Sequence, residues 1–144
     1  MEMPPSLLAP ESAPPVRRRR RRPWRDKFRV AFRGFKFGVR GQSSFSVHFF
    51  FAILVVVAAW AFTCTLLEWC VLLGCIGLVL TAEMFNSAIE ILFRGFDEET
   101  RERSWPALDI ASAAVLIASI TAAVLGLLIF LPRLVERLRA LGLF

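Results

Sequence analysis

The sequence offers little from which a thiol-based metal site or a disulfide scaffold could be built. It has three cysteines, Cys64, Cys70 and Cys75, one histidine and no tyrosine. All three cysteines fall in apolar sequence, none forms a CxxC pair, and no histidine stands at a metal-ligand spacing from them. That excludes zinc and a disulfide framework, and leaves them as small reduced hydrophobes in membrane helices. Charge is scarce as well. Between residues 48 and 93 the charged residues are Glu68, Glu83 and Glu90, and between 107 and 131 there is Asp109 alone. With 56% hydrophobic residues and a mean hydropathy of +0.58, the 144-residue chain is too apolar for an ordinary soluble domain, and long enough for one domain. No small-residue cleavage site follows the first apolar run, so that run is expected to stay as an anchor.

What is present divides the chain between two solvents. The net charge of +6 is concentrated near the N-terminus. Residues 1–16 carry five of the eight prolines and cannot bury enough surface to order themselves, so residues 1–23 are expected to be a disordered Pro/Arg-rich tail. Arg17 to Arg22 form an unbroken run, which reads as a cytoplasmic retention signal resting on anionic lipid rather than a nucleic-acid site. In residues 24–40, Trp24, Phe28, Ala31, Phe32, Phe35 and Val39 recur at steps of three and four, while Arg25, Arg29, Arg33, Lys36 and Arg40 take another face. This pattern predicts an interfacial amphipathic helix.

Three apolar segments follow, at about residues 48–67, 69–93 and 107–131. Each reaches the roughly 20 residues needed to cross a bilayer. The expected fold is an all-α membrane protein with three transmembrane helices behind the interfacial one. Residues 24–131 form the membrane domain and 132–144 a short amphipathic tail. Glu68 is the one charge between the first two crossings, which predicts a tight hairpin, and residues 94–106 read as a charged cytoplasmic loop. Trp69 and Trp105 sit at segment ends as interface aromatics do, His48 reads as a polar anchor at the start of the first crossing, and Trp60 reads as packing. The arginine density puts the N-terminus in the cytoplasm and the C-terminus outside. Arg133, Arg137 and Arg139 conflict with that orientation.

Glu83, Asn86 and Glu90 are spaced i, i+3 and i+7, so they share one helix face. At about 1.5 Å per residue, Glu90 lies roughly 6 Å and Glu83 roughly 16 Å from Arg94. A carboxylate at membrane depth costs on the order of 2.5–3.5 kcal/mol, which makes mere interhelical glue an expensive explanation. Asp109 and Ser112 open the third crossing at the same cytoplasmic depth, so three acids, an amide and the Ser87 and Ser112 hydroxyls are expected to converge there. Such an oxygen-rich set suits Mg²⁺ with substrate phosphates, one acid holding metal while the other acts as general base.

The stretch Glu83-Met84-Phe85-Asn86-Ser87-Ala88-Ile89-Glu90 resembles the signature of the prokaryotic diacylglycerol kinase family, which includes undecaprenol kinases. Three further pieces are similar to that family in the same order: FRVAFRGFKF at 28–37, Phe45-Ser46-Val47-His48, and DIASAAVL at 109–116. The resemblance spans about residues 24–131. It implies a homotrimeric, multi-pass enzyme of the bacterial inner (cytoplasmic) membrane that transfers the γ-phosphoryl of MgATP to a lipid hydroxyl, diacylglycerol or undecaprenol. ATP and Mg²⁺ are implied, and no nucleic acid is expected. Carried over by position, Glu83 and Asn86 are catalytic, Glu83 as the base and Asn86 orienting substrate or phosphate. Glu90 is a Mg²⁺ ligand on the nucleotide side with Asp109, and Ser112 joins Glu83 toward the lipid.

Three positions depart from the family's pattern. Gln42 replaces a second metal-binding glutamate, Leu108 a phosphate-binding lysine, and Arg94 an aspartate. Arg94 either supplies a positive charge near the phosphates or pairs with Glu90 one turn away. Intact Glu83, Asn86 and Glu90 favour a lipid kinase. Gln42 and Leu108 favour a catalytically impaired membrane module on the same fold, binding lipid or nucleotide without turnover.

Overall fold

The structure, a computed structural model, describes residues 23–39 and 43–142. The tail 1–22 with its arginine run, Arg40 and Gln42 lie outside the described residues. Four helices make up the rest: α1 (Trp24–Val39), α2 (Ser43–Ala61), α3 (Leu66–Arg94) and α4 (Glu98–Ala140). No strand occurs among the described residues. The last three helices are each long and apolar enough to cross a membrane. At 1.5 Å per residue they measure about 28, 43 and 64 Å, against a hydrocarbon core of about 30 Å.

The boundaries differ from those expected, and side chains invisible to a hydropathy reading explain why. The first crossing begins at Ser43, not His48, and ends at Ala61. The second starts at Leu66 because Thr65 caps it. The Thr65 amide donates to Glu68 Oε2 at 2.7 Å, and the Glu68 amide returns to Thr65 Oγ1 at 3.4 Å. This is a capping box that satisfies two otherwise orphaned donors, so Glu68 belongs to the helix and the hairpin turn is Phe62–Thr65. The turn holds Cys64, so that cysteine is not helical. The charged loop shrinks to Gly95–Asp97. Asp97 caps α4, accepting the Thr100 amide at 2.9 Å, and Arg103–Glu99 at 2.8 Å and Arg101–Glu98 at 3.7 Å tie the first turns together. The Thr100 amide, and then its hydroxyl, hold the Asp97 carboxyl below its usual range. Pro106 and Pro132 both lie inside α4, so the expected C-terminal tail is a continuation of that helix.

Packing centres on α3, which runs along α4 over the greatest length and touches α2 and α1. The buried apolar residues include Ala59, Leu72, Val79, Ala111, Val115 and Ala118. Their modest size lets helix backbones approach closely, the usual basis of helix association where lipid is as apolar as leucine. Large side chains such as Phe50, Trp60, Ile110 and Leu128 point outward, which suits a protein surface solvated by acyl chains and places Trp60 outside the packed interior. At the turn end, Arg133 Nη1 donates to Phe62 O at 2.9 Å, its Nε meets Glu68 Oε1 at 3.3 Å, and Arg137 donates to Ala61 O. Two of the three arginines that conflict with the positive-inside expectation are thus engaged, Arg133 by Glu68 and the Phe62 carbonyl and Arg137 by the last carbonyl of α2. At the other end α1 meets α3 where Gly38 faces Met84; a Cβ there would lie 2.6 Å from Met84 Sδ. Phe35 of α1 stands edge-on to the buried Phe45 of α2, ring centroids 6.0 Å apart.

Candidate functional site

Glu83 is 1% exposed, a carboxylate enclosed at membrane depth. What encloses it comes from α2. Ser44 and His48 are one turn apart and so share a face. Ser44 Oγ donates to Glu83 Oε1, and His48 Nε2 lies 3.9 Å from Glu83 Oε2. Sequence reading missed both partners. Their i, i+4 spacing on a helix entering from the same side as Glu83 was the available signal. The backbone of α1 closes this end, through Gly38 against Met84, the neighbour of Glu83.

A second polar group lies toward the C-terminal end of α3. Asn86 Nδ2 donates to Glu90 Oε1 at 3.0 Å, and Arg94 Nη2 reaches Glu90 Oε2 at 3.5 Å. Arg94 therefore engages Glu90, one of the two roles open to it from sequence. Asn86 Oδ1 is buried and has no hydrogen-bond partner among the described residues. Ser87 is buried beside it. Seven residues along one helix put Glu83 and Glu90 about 10 Å apart along the axis, so the face holds two centres in succession.

The expected convergence with α4 is only partial. Asn86 shares a cleft of about 550 Å³ with Ala107, Ile110 and Ala111 of α4, whereas Asp109 and Ser112 are exposed and Leu108 is half-buried. Asp109 and Ser112 have the expected depth but not the expected azimuth. Consistent with that, no group of three or more His, Cys, Asp or Glu side chains able to hold a metal occurs among the described residues.

A second, apolar chamber of about 560 Å³ opens between α2, α3 and α4, reached by His48 at one end, lined by Val55, Leu72, Leu80 and Ser119, and bounded by Phe130 at the other. On α3 its wall ends at Leu80, less than one turn short of Glu83. The carboxylate thus stands at the head of a hydrocarbon-lined space about 12 Å long on α3, from Leu72 to Leu80.

The profile of the family described as prokaryotic diacylglycerol kinase matches residues 29–130, from within α1 to Phe130 in α4. The chain belongs to that family. Among curated proteins, the undecaprenol kinase of Bacillus subtilis (strain 168) is 29% identical to it over 104 residues, covering 72% of this chain and 85% of the relative. No solved structure matches the chain. The diacylglycerol kinase family is one of lipid kinases, and the matched span contains both polar centres of α3, the Ser44–His48 face and the apolar chamber. It excludes the arginine run and the last turns of α4.

Mg²⁺ commonly takes one or two carboxylates and completes its shell with water and substrate phosphates. Glu90 with the unpartnered Asn86 Oδ1 fits that pattern, as hard oxygen donors near the end of α3. The Arg94 guanidinium competes for one Glu90 oxygen.

Proposed function

We propose that the protein is an ATP-dependent lipid kinase that moves the γ-phosphoryl group to a membrane lipid hydroxyl, diacylglycerol or undecaprenol, at the cytoplasmic interface. The observation that carries this reading is the burial of Glu83 at the head of an apolar chamber. A lipid whose hydrocarbon lies in that chamber brings its hydroxyl to the carboxylate. Glu83 then takes the hydroxyl proton as the oxygen attacks phosphorus. Ser44 holds Oε1 and so orients the carboxylate, leaving Oε2 for the proton. Glu90, with Asn86, would hold Mg²⁺, which supplies charge neutralisation on the phosphates. Asp109 and Ser112 serve the nucleotide and lipid from α4, where a neighbouring copy completes the wall. The assembly is a homotrimer in this reading, and the open apolar faces of α2 and α4 support it. The N-terminus lies in the cytoplasm of a bacterial inner-membrane protein, and the arginine density supports that orientation.

One observation favours a second reading, an impaired module: Arg94 occupies the carboxylate that the metal needs, in a chain that also carries Leu108 and Gln42. The test is phosphate transfer from ATP to a panel of lipid alcohols over a Mg²⁺ titration. Glu83→Gln should lower turnover by about 10²–10⁴-fold with MgATP affinity nearly unchanged. Glu90→Gln should weaken nucleotide binding and be partly rescued by raised Mg²⁺. Gln42→Glu should lower the Mg²⁺ requirement, and Leu108→Lys should tighten ATP binding. No transfer by the unmodified chain and none by either restoring variant would leave the impaired module standing.

A further inference from the structure

Resting on the kinase reading, we propose that His48 is the exit for the proton that Glu83 removes from the acceptor hydroxyl, and with Ser44 the residue that fixes which carboxylate oxygen receives it. A base that is 1% exposed has a difficulty that an exposed base lacks. Once it has taken a proton it must lose it before the next turnover, and bulk water does not reach it. Three observations make His48 the outlet. Its Nε2 lies 3.9 Å from Oε2, the oxygen that Ser44 does not engage. Its side chain is 21% exposed against 1% for the carboxylate. It sits five residues into α2, about 7.5 Å from the start of that helix. Imidazole is also the side chain whose proton affinity suits exchange with both a carboxyl group and water near neutral pH.

The step balances without any further reactant. The acceptor O–H bond breaks, its proton forms a bond to Glu83 Oε2, the acceptor oxygen bonds to the γ-phosphorus, and the bond from that phosphorus to the departing ADP oxygen breaks. The carboxyl group then passes the proton to Nε2 of neutral His48, restoring the carboxylate, and the imidazolium releases it to water. The 3.9 Å separation exceeds hydrogen-bond length by about 1 Å. A small side-chain torsion closes it, and so does one bridging oxygen, since an atom about 2.8 Å from each group fits between them. His48 acts through Glu83, so it is a positioning and relay residue. The sequence reading of it as a polar membrane anchor accounts for its depth but not for its alignment on the free oxygen of Glu83.

The test uses the full chain in detergent micelles with MgATP and, in parallel, undecaprenol and a diacylglycerol. His48→Asn keeps a polar side chain of similar reach but no basic nitrogen. It should lower kcat by roughly 10–100-fold, as loss of a proton-transfer group does, with KM for MgATP within about twofold. His48→Ala should regain turnover when imidazole is added, a rescue that a merely misfolded protein does not show. The double variant Glu83→Gln/His48→Asn should be no slower than Glu83→Gln alone, because residues acting in one relay are not additive. The proposal is overturned if His48→Asn turns over as fast as the unmodified chain. It is equally overturned if the loss ignores imidazole and multiplies with that of Glu83→Gln, which marks a packing role. If the unmodified chain transfers phosphate to neither alcohol, the kinase reading fails and this role with it; if it transfers phosphate and only the His48 results disagree, the kinase reading stands alone.

Discussion

Gly38 is the point at which α1 is tied to the rest of the molecule, and a graded series there measures how tightly. A Cβ at this position would stand 2.6 Å from Met84 Sδ and 3.0 Å from Met84 Cε, about 1 Å inside ordinary contact. The obstructing atoms end a flexible thioether, so Gly38→Ala needs one Met84 rotamer change, about 0.5–1.5 kcal/mol. That is offset by the roughly 1 kcal/mol that alanine gains over glycine within a helix. The net effect should be near zero. Gly38→Leu adds three further carbon atoms to the same crowded contact, and overpacking of this kind costs about 1–3 kcal/mol. The edge-on contact of Phe35 with Phe45, worth about 0.5–1.5 kcal/mol, cannot hold α1 against that. Deuterium exchange followed by mass spectrometry should therefore show α1 amides unchanged in Gly38→Ala and markedly faster in Gly38→Leu. Phosphate transfer should fall in the leucine variant, since the α1 backbone closes the end of α3 that carries Glu83. Equal exchange in all three proteins would refute the close approach. An alanine variant as damaged as the leucine one would show that Met84 is not free to move.

Other consequences can be checked separately. Arg133→Ala removes charge-assisted bonds to Phe62 O and to Glu68, and should lower resistance to unfolding in mixed micelles by at least the roughly 1.5–3 kcal/mol of one such bond; no change would mean that water satisfies both partners. The Asp97 carboxyl is held below its usual range, so its capping of α4 is complete at neutral pH and disappears as pH falls below about 4 through the depressed value. Protection of the Thr100 amide should follow that loss in the unmodified chain, whereas Asp97→Asn, also a good cap, should show no such acid step. Reporter fusions should place the N-terminus in the cytoplasm and the C-terminus outside; a cytoplasmic C-terminus would undo the placement of Glu83 and Glu90 on the nucleotide side.

How legible the molecule was depended on the kind of physics involved. Three crossings were readable because hydropathy is a property of single residues summed over a window. Glu83, Asn86 and Glu90 stood out because carboxylates in an apolar run are costly, and helical spacing alone puts them on one face. The helical character of residues 98–106 was hidden because Asp97, Glu98, Glu99, Arg101 and Arg103 are charged, and hydropathy does not register that they cap and pair with one another. The exposed position of Asp109 was hidden for a different reason: depth follows from counting residues to a helix end, but azimuth follows from how two helices rotate against each other. The same limit hid Ser44 and His48. Their partner is 39 residues away in the case of Ser44, and only the packing of α2 on α3 reveals it.

The helix lengths set a mechanical condition on all of this. At about 28 Å, α2 barely equals the hydrocarbon thickness, and at its second end Arg137 grips its last carbonyl and Arg133 the turn that follows. α3 and α4 have ample length and adapt to a thicker bilayer by tilting. A thicker membrane must instead thin around α2 or draw its first turn inward, and that turn carries Ser44 and His48. A change of bilayer thickness should therefore reach the surroundings of one carboxylate through α2.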